Sequence, residues 1–254
     1  MKYSDKFSVT SHDIDYNNVI RPEQLQMYLQ ESADHQSRDE VIPCDELYKN
    51  GYSFILSRIN IEIYKPIRKY DEITVNTWHI KGRAANYPRA YEIIKDDEVV
   101  VKAMSNWALI EVENKKLVKY NDYDMTKYSI DKPLEMELKE RFRISKDLEM
   151  DKVDTFKVNL SDTDFNRHLN NTRYLKIIYD NIPDMENSFI TSINLRYMKE
   201  APIGSNIEIF RSKAREPIGI DSRADKVYTF YTLVNGNNNL EAEIGIKKYE
   251  RCNK

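Results

Sequence analysis

The feature that most constrains this chain is that its second half repeats the order of its first. Asp15-Tyr16-Asn17 lies in a polar turn ahead of a helix-like segment, and Asp164-Phe165-Asn166 lies in another. Further along, Tyr64-Lys65 and Ile73-Thr74-Val75 fall without a gap on Met198-Lys199 and Ile207-Glu208-Ile209. A short strand, a polar turn, a helix and a run of strands thus appear twice. Such self-similarity means two copies of one structural unit, neither of which buries its apolar face well alone. The 254 residues are enough for two domains of ordinary size.

Within the first copy, Phe7–Thr10 reads as a strand and residues 11–18 as a turn. Pro22 suits a first helical turn, and Leu25, Tyr28, Leu29 and Ser32-Ala33 recur at helical spacing, predicting an amphipathic helix to about Asp39. Ile59, Ile61 and Ile63 alternate with Asn60 and Glu62, which predicts a strand over 55–64. Residues 73–78, 90–94, 99–101 and 107–112 read as further strands, with a hairpin turn at Asp96-Asp97. In the second copy, 156–160 is a strand, 161–171 a polar turn, and Tyr174, Leu175, Ile178 and Tyr179 mark a helix. Strands follow at 193–197, 207–210, 227–234 and 240–248, with Asn235-Gly236 as a hairpin turn. One helix and then antiparallel strands, twice, is an α+β pattern. The charge-rich stretch between the copies lacks alternation, so the expected division is 1–125, a connector at 126–150, and 151–254.

Several function classes are disfavoured. The net charge of −3 argues against a general nucleic-acid binder. With six glycines and neither Gly-x-Gly-x-x-Gly nor a Walker A pattern, those nucleotide-binding routes are missing. Cys44 and Cys252 form no Cys-x-x-Cys pair and read as free thiols in a reducing cytoplasm. No signal-like apolar core opens the sequence, and no apolar run approaches the roughly 20 residues that span a bilayer. No cofactor is expected, and no metal.

The chemistry-bearing residues are Asp164, Asn166 and His168, at i, i+2 and i+4. On extended backbone all three point to one side. Asn170 or Asn171 then caps a helix, whose first N–H groups would polarise a carbonyl. A fourth polar residue, Glu200, ends the strand around 193–197. An Asp-x-Asn turn before a helix is often no more than a self-capping turn. Against that stands an asymmetry: the first copy has Val19 in place of His168 and Pro66 in place of Glu200. A purely structural role does not readily explain why one copy alone keeps the polar set.

Asp164-Phe-Asn-Arg-His-Leu-Asn-Asn-Thr-Arg-Tyr174 resembles the Asp-x-Asn-x-His-x-Asn-Asn-x-x-Tyr segment of the acyl-acyl carrier protein (acyl-ACP) thioesterases of plants and bacteria. Leu195-Arg-Tyr-Met-Lys-Glu200 resembles that family's Leu-x-Tyr-x-x-Glu strand, Tyr28-Leu29-Gln30-Glu31 with His35 its central helix, and Ser105-Asn106-Trp107 its Ser-x-Trp strand. The resemblance implies two tandem hot-dog folds, each a long helix wrapped by an antiparallel sheet, packed as an internal pseudo-dimer. It implies hydrolysis of fatty acyl-ACP to free fatty acid, with Asp164, Asn166, His168 and Glu200 catalytic. The first copy no longer needs chemistry, so Leu25, Tyr28, Leu29, Ile61, Ile63 and Trp107 read either as the lining of the acyl chain or as ordinary core. Many plant members carry Cys directly after the Glu; here Ala201 stands there, so water rather than a thiol is the expected nucleophile. The carrier is acidic, which gives Arg167, Arg173, Lys176, Arg196 and Lys199, and Arg211, Lys213, Arg215, Arg223 and Lys226, an expected docking role. The alternatives are an acyl-CoA thioesterase, a hot-dog hydratase and a non-catalytic acyl-thioester sensor. A monomer or a homodimer is expected.

Overall fold

The computed structural model describes residues 2–139, 141–145, 147–217 and 219–249; Cys252 lies outside the described residues. The first half runs β1 (Tyr3–Ser8), α1 (Pro22–Gln36), α2 (Cys44–Lys49), β2 (Tyr52–Ile63), β3 (Glu72–Ile80), β4 (Tyr87–Lys95) and β5 (Glu98–Glu111). Two short strands follow, β6 (Leu117–Val118) and β7 (Ile130–Asp131). The second half runs β8 (Met150–Lys157), α3 (Asn171–Asp180), β9 (Ser188–Tyr197), β10 (Asn206–Ser212), β11 (Lys226–Val234) and β12 (Asn237–Lys248). The strands form one sheet in the order β1-β3-β4-β5-β2-β9-β12-β11-β10-β8. Both long hairpins turn where the sequence predicts, at Asp96-Asp97 (φ 50° and 61°) and Asn235-Gly236 (φ 51° and 72°). Two consecutive positive φ values match the right-handed twist of the flanking strands.

The halves meet through β2 and β9, which pair antiparallel with Asn60 opposite Asn194. The sequence separation that carries Ile73 to Ile207 also carries Asn60 to Asn194, so the two asparagines are equivalents facing each other across a pseudo-twofold axis. Both are buried, and the Asn60 amide donates to Asn194 Oδ1 at 2.6 Å. A paired polar contact flanked by the apolar pairs Ile59–Leu195 and Ile61–Ile193 fixes register, because a one-residue slip leaves both amides unpaired.

Alternation explains the core. Ile59, Ile61, Ile73, Val75, Tyr91, Ile93, Val101 and Ala103 in the first half face α1 through Leu25, Leu29 and Ala33. Ile193, Leu195, Ile207, Ile209, Phe230, Leu240, Ala242 and Ile244 meet Tyr174, Leu175 and Ile178 of α3 in the same way. The helices also pack on each other, so the two halves share one apolar core. The stretch after β7 crosses the other face of the sheet. There the Trp78 indole donates to Lys132 O (2.9 Å), Leu138 N–H to Glu62 (2.6 Å) and Asn60 to Lys139 O (3.3 Å).

Element ends differ from the sequence reading in a few places. α1 stops at Gln36 rather than near Asp39, and Ser37–Val41 form a wider π turn. Pro43 forces Ile42 into an extended conformation (φ −157°), which ends helical continuation. The short α2 beyond it was not foreseen. The first strand of each half also lies earlier than expected, at Tyr3–Ser8 and Met150–Lys157.

Candidate active site

Asp164, Asn166 and His168 do not lie on extended backbone. The segment is a tight turn in which Asp164 N–H donates to His168 O (2.9 Å) and Arg167 N–H to Asp164 O (3.0 Å), with Arg167 at φ 65°. The Asp164 carboxylate folds back into this turn, and its Oδ1 accepts from Asn166 N–H (2.9 Å) and His168 N–H (3.2 Å). Aspartate favours this self-capping conformation. The turn is strapped to the chain after β9: Leu169 N–H donates to Ala201 O (2.8 Å), Ile203 N–H to Arg167 O (3.1 Å), and His168 bridges Pro202. That backbone pairing brings His168 beside Glu200, with Nδ1 and Oε2 3.4 Å apart.

The first half builds the same turn atom for atom. Asp15 N–H donates to Val19 O (2.8 Å), and Asn18 N–H to Asp15 O (3.1 Å), with Asn18 at φ 58°. Asp15 Oδ1 accepts from Asn17 N–H (2.8 Å) and Val19 N–H (3.0 Å). Its strap is Ile20 N–H to Ile67 O (2.8 Å). What differs is the side chains. Asn17 is buried: its amide donates to Met185 O (2.7 Å), and its Oδ1 accepts from Asn187 N–H (3.1 Å). Asn166 is exposed, and no side-chain hydrogen-bond partner reaches it among the described residues. Val19 and Pro66 replace the histidine and the carboxylate.

The second turn is therefore open and polar. The His168 side chain is 28% exposed and that of Glu200 54%. Ala201 is fully buried, so no thiol stands next to Glu200. The thiol of Cys44 turns onto Asp34 Oδ1 (2.9 Å); burial of the sulfur and the adjacent Asp34 push its pKa up to about 12. A thiol held that high is a poor nucleophile. At the start of α3, the Asn170 side chain accepts from Thr172 N–H (3.0 Å), and Arg173 N–H donates to Asn170 O (2.9 Å). Asn170 is thus the cap, and it engages donors that the sequence reading had assigned to a carbonyl.

Beside the turn, Phe165 is 76% exposed and meets Tyr48 of α2 edge-on at 6.0 Å. The sequence reading missed Tyr48, which belongs to a one-and-a-half-turn helix in a charged segment without periodicity. The expected basic residues divide. Lys176 pairs with Asp180, Arg196 with Glu241, Arg215 with Glu243 and Arg223 with Asp221. Arg167, Arg173 and Lys199 have no carboxylate partner among the described residues. Of the expected chain-lining residues, Leu25, Leu29, Ile61 and Ile63 lie in the shared core, with Tyr28 packed against it. Trp107 instead joins a separate cluster with Leu47, Tyr87 and Leu109. Among the described residues, no group of three or more His, Cys, Asp and Glu side chains is placed to hold a metal, and no helix is long and apolar enough to cross a membrane.

Two helices wrapped by one continuous antiparallel sheet, with one polar turn of the two left open, define a double hot-dog protein. Family models agree on both halves: the acyl-ACP thioesterase N-terminal domain matches residues 1–128 and the C-terminal domain 145–248. The chain belongs to the acyl-ACP thioesterase family. It is 25% identical over 224 residues to a palmitoyl-acyl carrier protein thioesterase of Cuphea hookeriana, covering 81% of this chain and 53% of that protein. It is 27% identical over 223 residues to an oleoyl-acyl carrier protein thioesterase of Coriandrum sativum, covering 79% and 59%. The chain thus spans little more than half the length of these relatives. An acyl-ACP thioesterase from Bacteroides thetaiotaomicron shares the fold at a TM-score of 0.82 and 21% identity, covering 96% of this chain and 97% of that one. The 12:0-ACP thioesterase from Umbellularia californica shares it at 0.81 and 14%, covering 98% of each.

Proposed function

We propose that this chain hydrolyses the thioester of fatty acyl-ACP, releasing a free fatty acid and the carrier thiol. The observation that carries the reading is the His168–Glu200 pair, 3.4 Å apart at a turn whose structural twin buries its asparagine and has Val19 and Pro66 in their places. Glu200 is the general base: its carboxylate takes a proton from water as the water oxygen attacks the thioester carbonyl. The C–S bond then breaks, and His168 returns a proton to the departing thiolate. Asn166, with its amide free, donates to the carbonyl oxygen as negative charge develops there. Asp164 holds the turn that presents both. The division of labour follows: residues 1–125 receive the acyl chain, 126–150 connect, and 151–254 carry the chemistry. Arg167, Arg173 and Lys199, without a carboxylate partner among the described residues, form with exposed Phe165 of the same turn as Arg167 the face offered to an acidic carrier protein. The proposed compartment is the cytoplasm.

The test is a panel of acyl-ACPs of varied length and saturation, with matched acyl-CoAs, assayed on wild type and Glu200→Ala. The expected result is turnover favouring acyl-ACP, with kcat falling by about a hundredfold or more in the variant. An unchanged rate removes Glu200 from the mechanism, and a preference for acyl-CoA removes the carrier protein.

A further inference from the structure

One row of residues on the face of the sheet away from the helices crosses the pseudo-twofold. Asn60 pairs with Asn194 at its centre. On the first-half side Asn60 lies opposite Met104, Met104 opposite Ala90, and Ala90 opposite Trp78. On the second-half side Asn194 lies opposite Glu243, and Glu243 opposite Thr229. Met104 and Glu243 are therefore equivalents, as are Ala90 and Thr229. One side of the row is apolar and the other polar.

The chain between the halves crosses both sides of this row and covers them differently. On the first side Trp78, Ile80 and Ala90 are buried, with Met104 and Leu134 packed against them. On the second side Phe142, Ile144 and Leu148 stand over the sheet without filling the space beneath. A cavity of about 320 Å³ remains there, with Asn194, Thr229, Glu243 and Arg215 in its wall. A second hollow of about 390 Å³ shares Ile144, Ser145 and Leu148 with it and reaches Tyr231 and Leu233. Thr229, Tyr231 and Leu233 are alternate residues of β11, so the two hollows together extend over roughly 13 Å.

The first of these hollows is polar and incompletely satisfied. Arg215 Nη2 donates to Thr229 and to Glu243 (3.4 Å), so the pair is neutral as a unit. Arg215 Nε–H is buried and finds no hydrogen-bond partner among the described residues. A buried donor without an acceptor is costly, and it marks a place where an acceptor belongs. Lys139, Arg141 and Arg143 line the same cavity, and none meets a carboxylate among the described residues. These three cations set a positive potential over it. Glu241, which lines the second hollow, is offset by Arg196. Ile144, Leu148, Tyr231 and Leu233 give that hollow apolar walls.

We propose that this space binds a fatty carboxylate. The carboxylate accepts from Arg215 Nε–H beside Lys139, Arg141 and Arg143, and the hydrocarbon chain lies along β11 beneath Ile144 and Leu148. The volume is that of a small-molecule site, and anionic head and apolar tail each meet matching walls. The His168–Glu200 pair stands elsewhere, at the turn before α3, so the inference holds whether or not the chain hydrolyses acyl-ACP. Where it does, the fatty acid it releases is a ligand of this second site.

The test is a methyl NMR titration of the full chain with octanoate. Ile144, Leu148 and Ile220 report the cavity, and Leu25, Leu29 and Ile61 report the core beneath the helices. Expected are saturable shifts at the first set. Octanol, which has the chain without the charge, should bind about tenfold or more weakly, and acetate, the charge without the chain, weaker still. Arg215→Gln/Glu243→Gln removes both charges together and leaves no lone buried ion, so the fold should be retained. It should weaken octanoate by about tenfold to a hundredfold, the usual size of a hydrogen bond to a charged group, and leave octanol unchanged. Absence of shifts at Ile144, Leu148 and Ile220 overturns the inference and makes the hollow a water-filled one. Shifts confined to the core set, equal affinity for octanoate and octanol, or equal affinity of wild type and variant overturn it too. Should the variant not fold, Arg141→Gln/Arg143→Gln, on exposed side chains, replaces it, with octanoate weakened about threefold or more. Unchanged affinity there overturns the inference. None of these readouts needs turnover, so failure here and failure of acyl-ACP hydrolysis are told apart.

Discussion

The turns at 13–22 and 162–171 share their backbone hydrogen bonds, a left-handed residue at the same place and an aspartate capping the same two N–H groups. One is sealed and the other is a candidate catalytic centre. The sealing follows from what each turn faces. Asn17 of the first turn docks into the short link between α3 and β9, at Met185 and Asn187. The corresponding link after α1 is longer, because the π turn and α2 are inserted before β2. Its Tyr48 reaches Phe165, and Asn166 is left free. Backbone geometry is therefore the inheritance common to both halves, while chemistry depends on side chains and on the length of one link. A turn motif alone does not identify a site; the difference between two copies does.

The sharpest way to break this comparison is to give the second turn the residue of the first. His168→Val should lower kcat by about a hundredfold or more while leaving thermal unfolding close to wild type, because Val already occupies that place in Val19. Steady-state assay on acyl-ACP and a melting curve decide it. Retained turnover means that the asymmetry between the turns is unrelated to catalysis.

Much of this was legible in the sequence because alternation and hairpin chemistry are local. Ile59, Ile61 and Ile63 announce a strand with one buried face, and Asp96-Asp97 and Asn235-Gly236 announce their turns. His168 and Glu200 were visible as residues left unmatched by the repeat, and Asp164 and Asn166 as the polar turn that carries one of them. Their geometry was not. Spacing of two and four implies one face only on extended backbone, and the Asp164 carboxylate instead curls the chain by capping it. Nor could the sequence show which lysines and arginines would be neutralised. Arg196 lies opposite Glu241 in the register of β9 on β12, and Arg215, outside the long strands, reaches Glu243 of the same β12.

A second prediction sharpens the contrast between open and sealed asparagines. Asn166→Ala should lower kcat about tenfold or more, since it removes a donor to the developing oxyanion, with little change in stability. Asn17→Ala should do the reverse. It orphans Asn187 N–H and takes from Met185 O one of its two donors, costing about 1–3 kcal/mol of stability, and should leave kcat unchanged below the melting range. Matched effects of the two variants on both measurements would mean that the turns are not functionally distinct.

The smallest effect separates two roles for Asp164. Its Oδ1 accepts two N–H groups, as that of Asp15 does, so alanine at either place should cost about 1–2 kcal/mol of stability. Asp164→Ala should also lower kcat, about tenfold, by loosening the backbone that carries Asn166 and His168; Asp15→Ala should not. Asparagine keeps a carbonyl oxygen that accepts the same two N–H bonds and favours the same turn. Asp164→Asn should therefore recover kcat to within about threefold of wild type if the residue serves the turn. A carboxylate that takes a proton cannot be replaced this way, since an amide has negligible basicity near neutral pH. If Asp164→Asn is as impaired as Glu200→Ala, the second carboxylate acts directly on water, and the self-capping it shares with Asp15 is only where it rests.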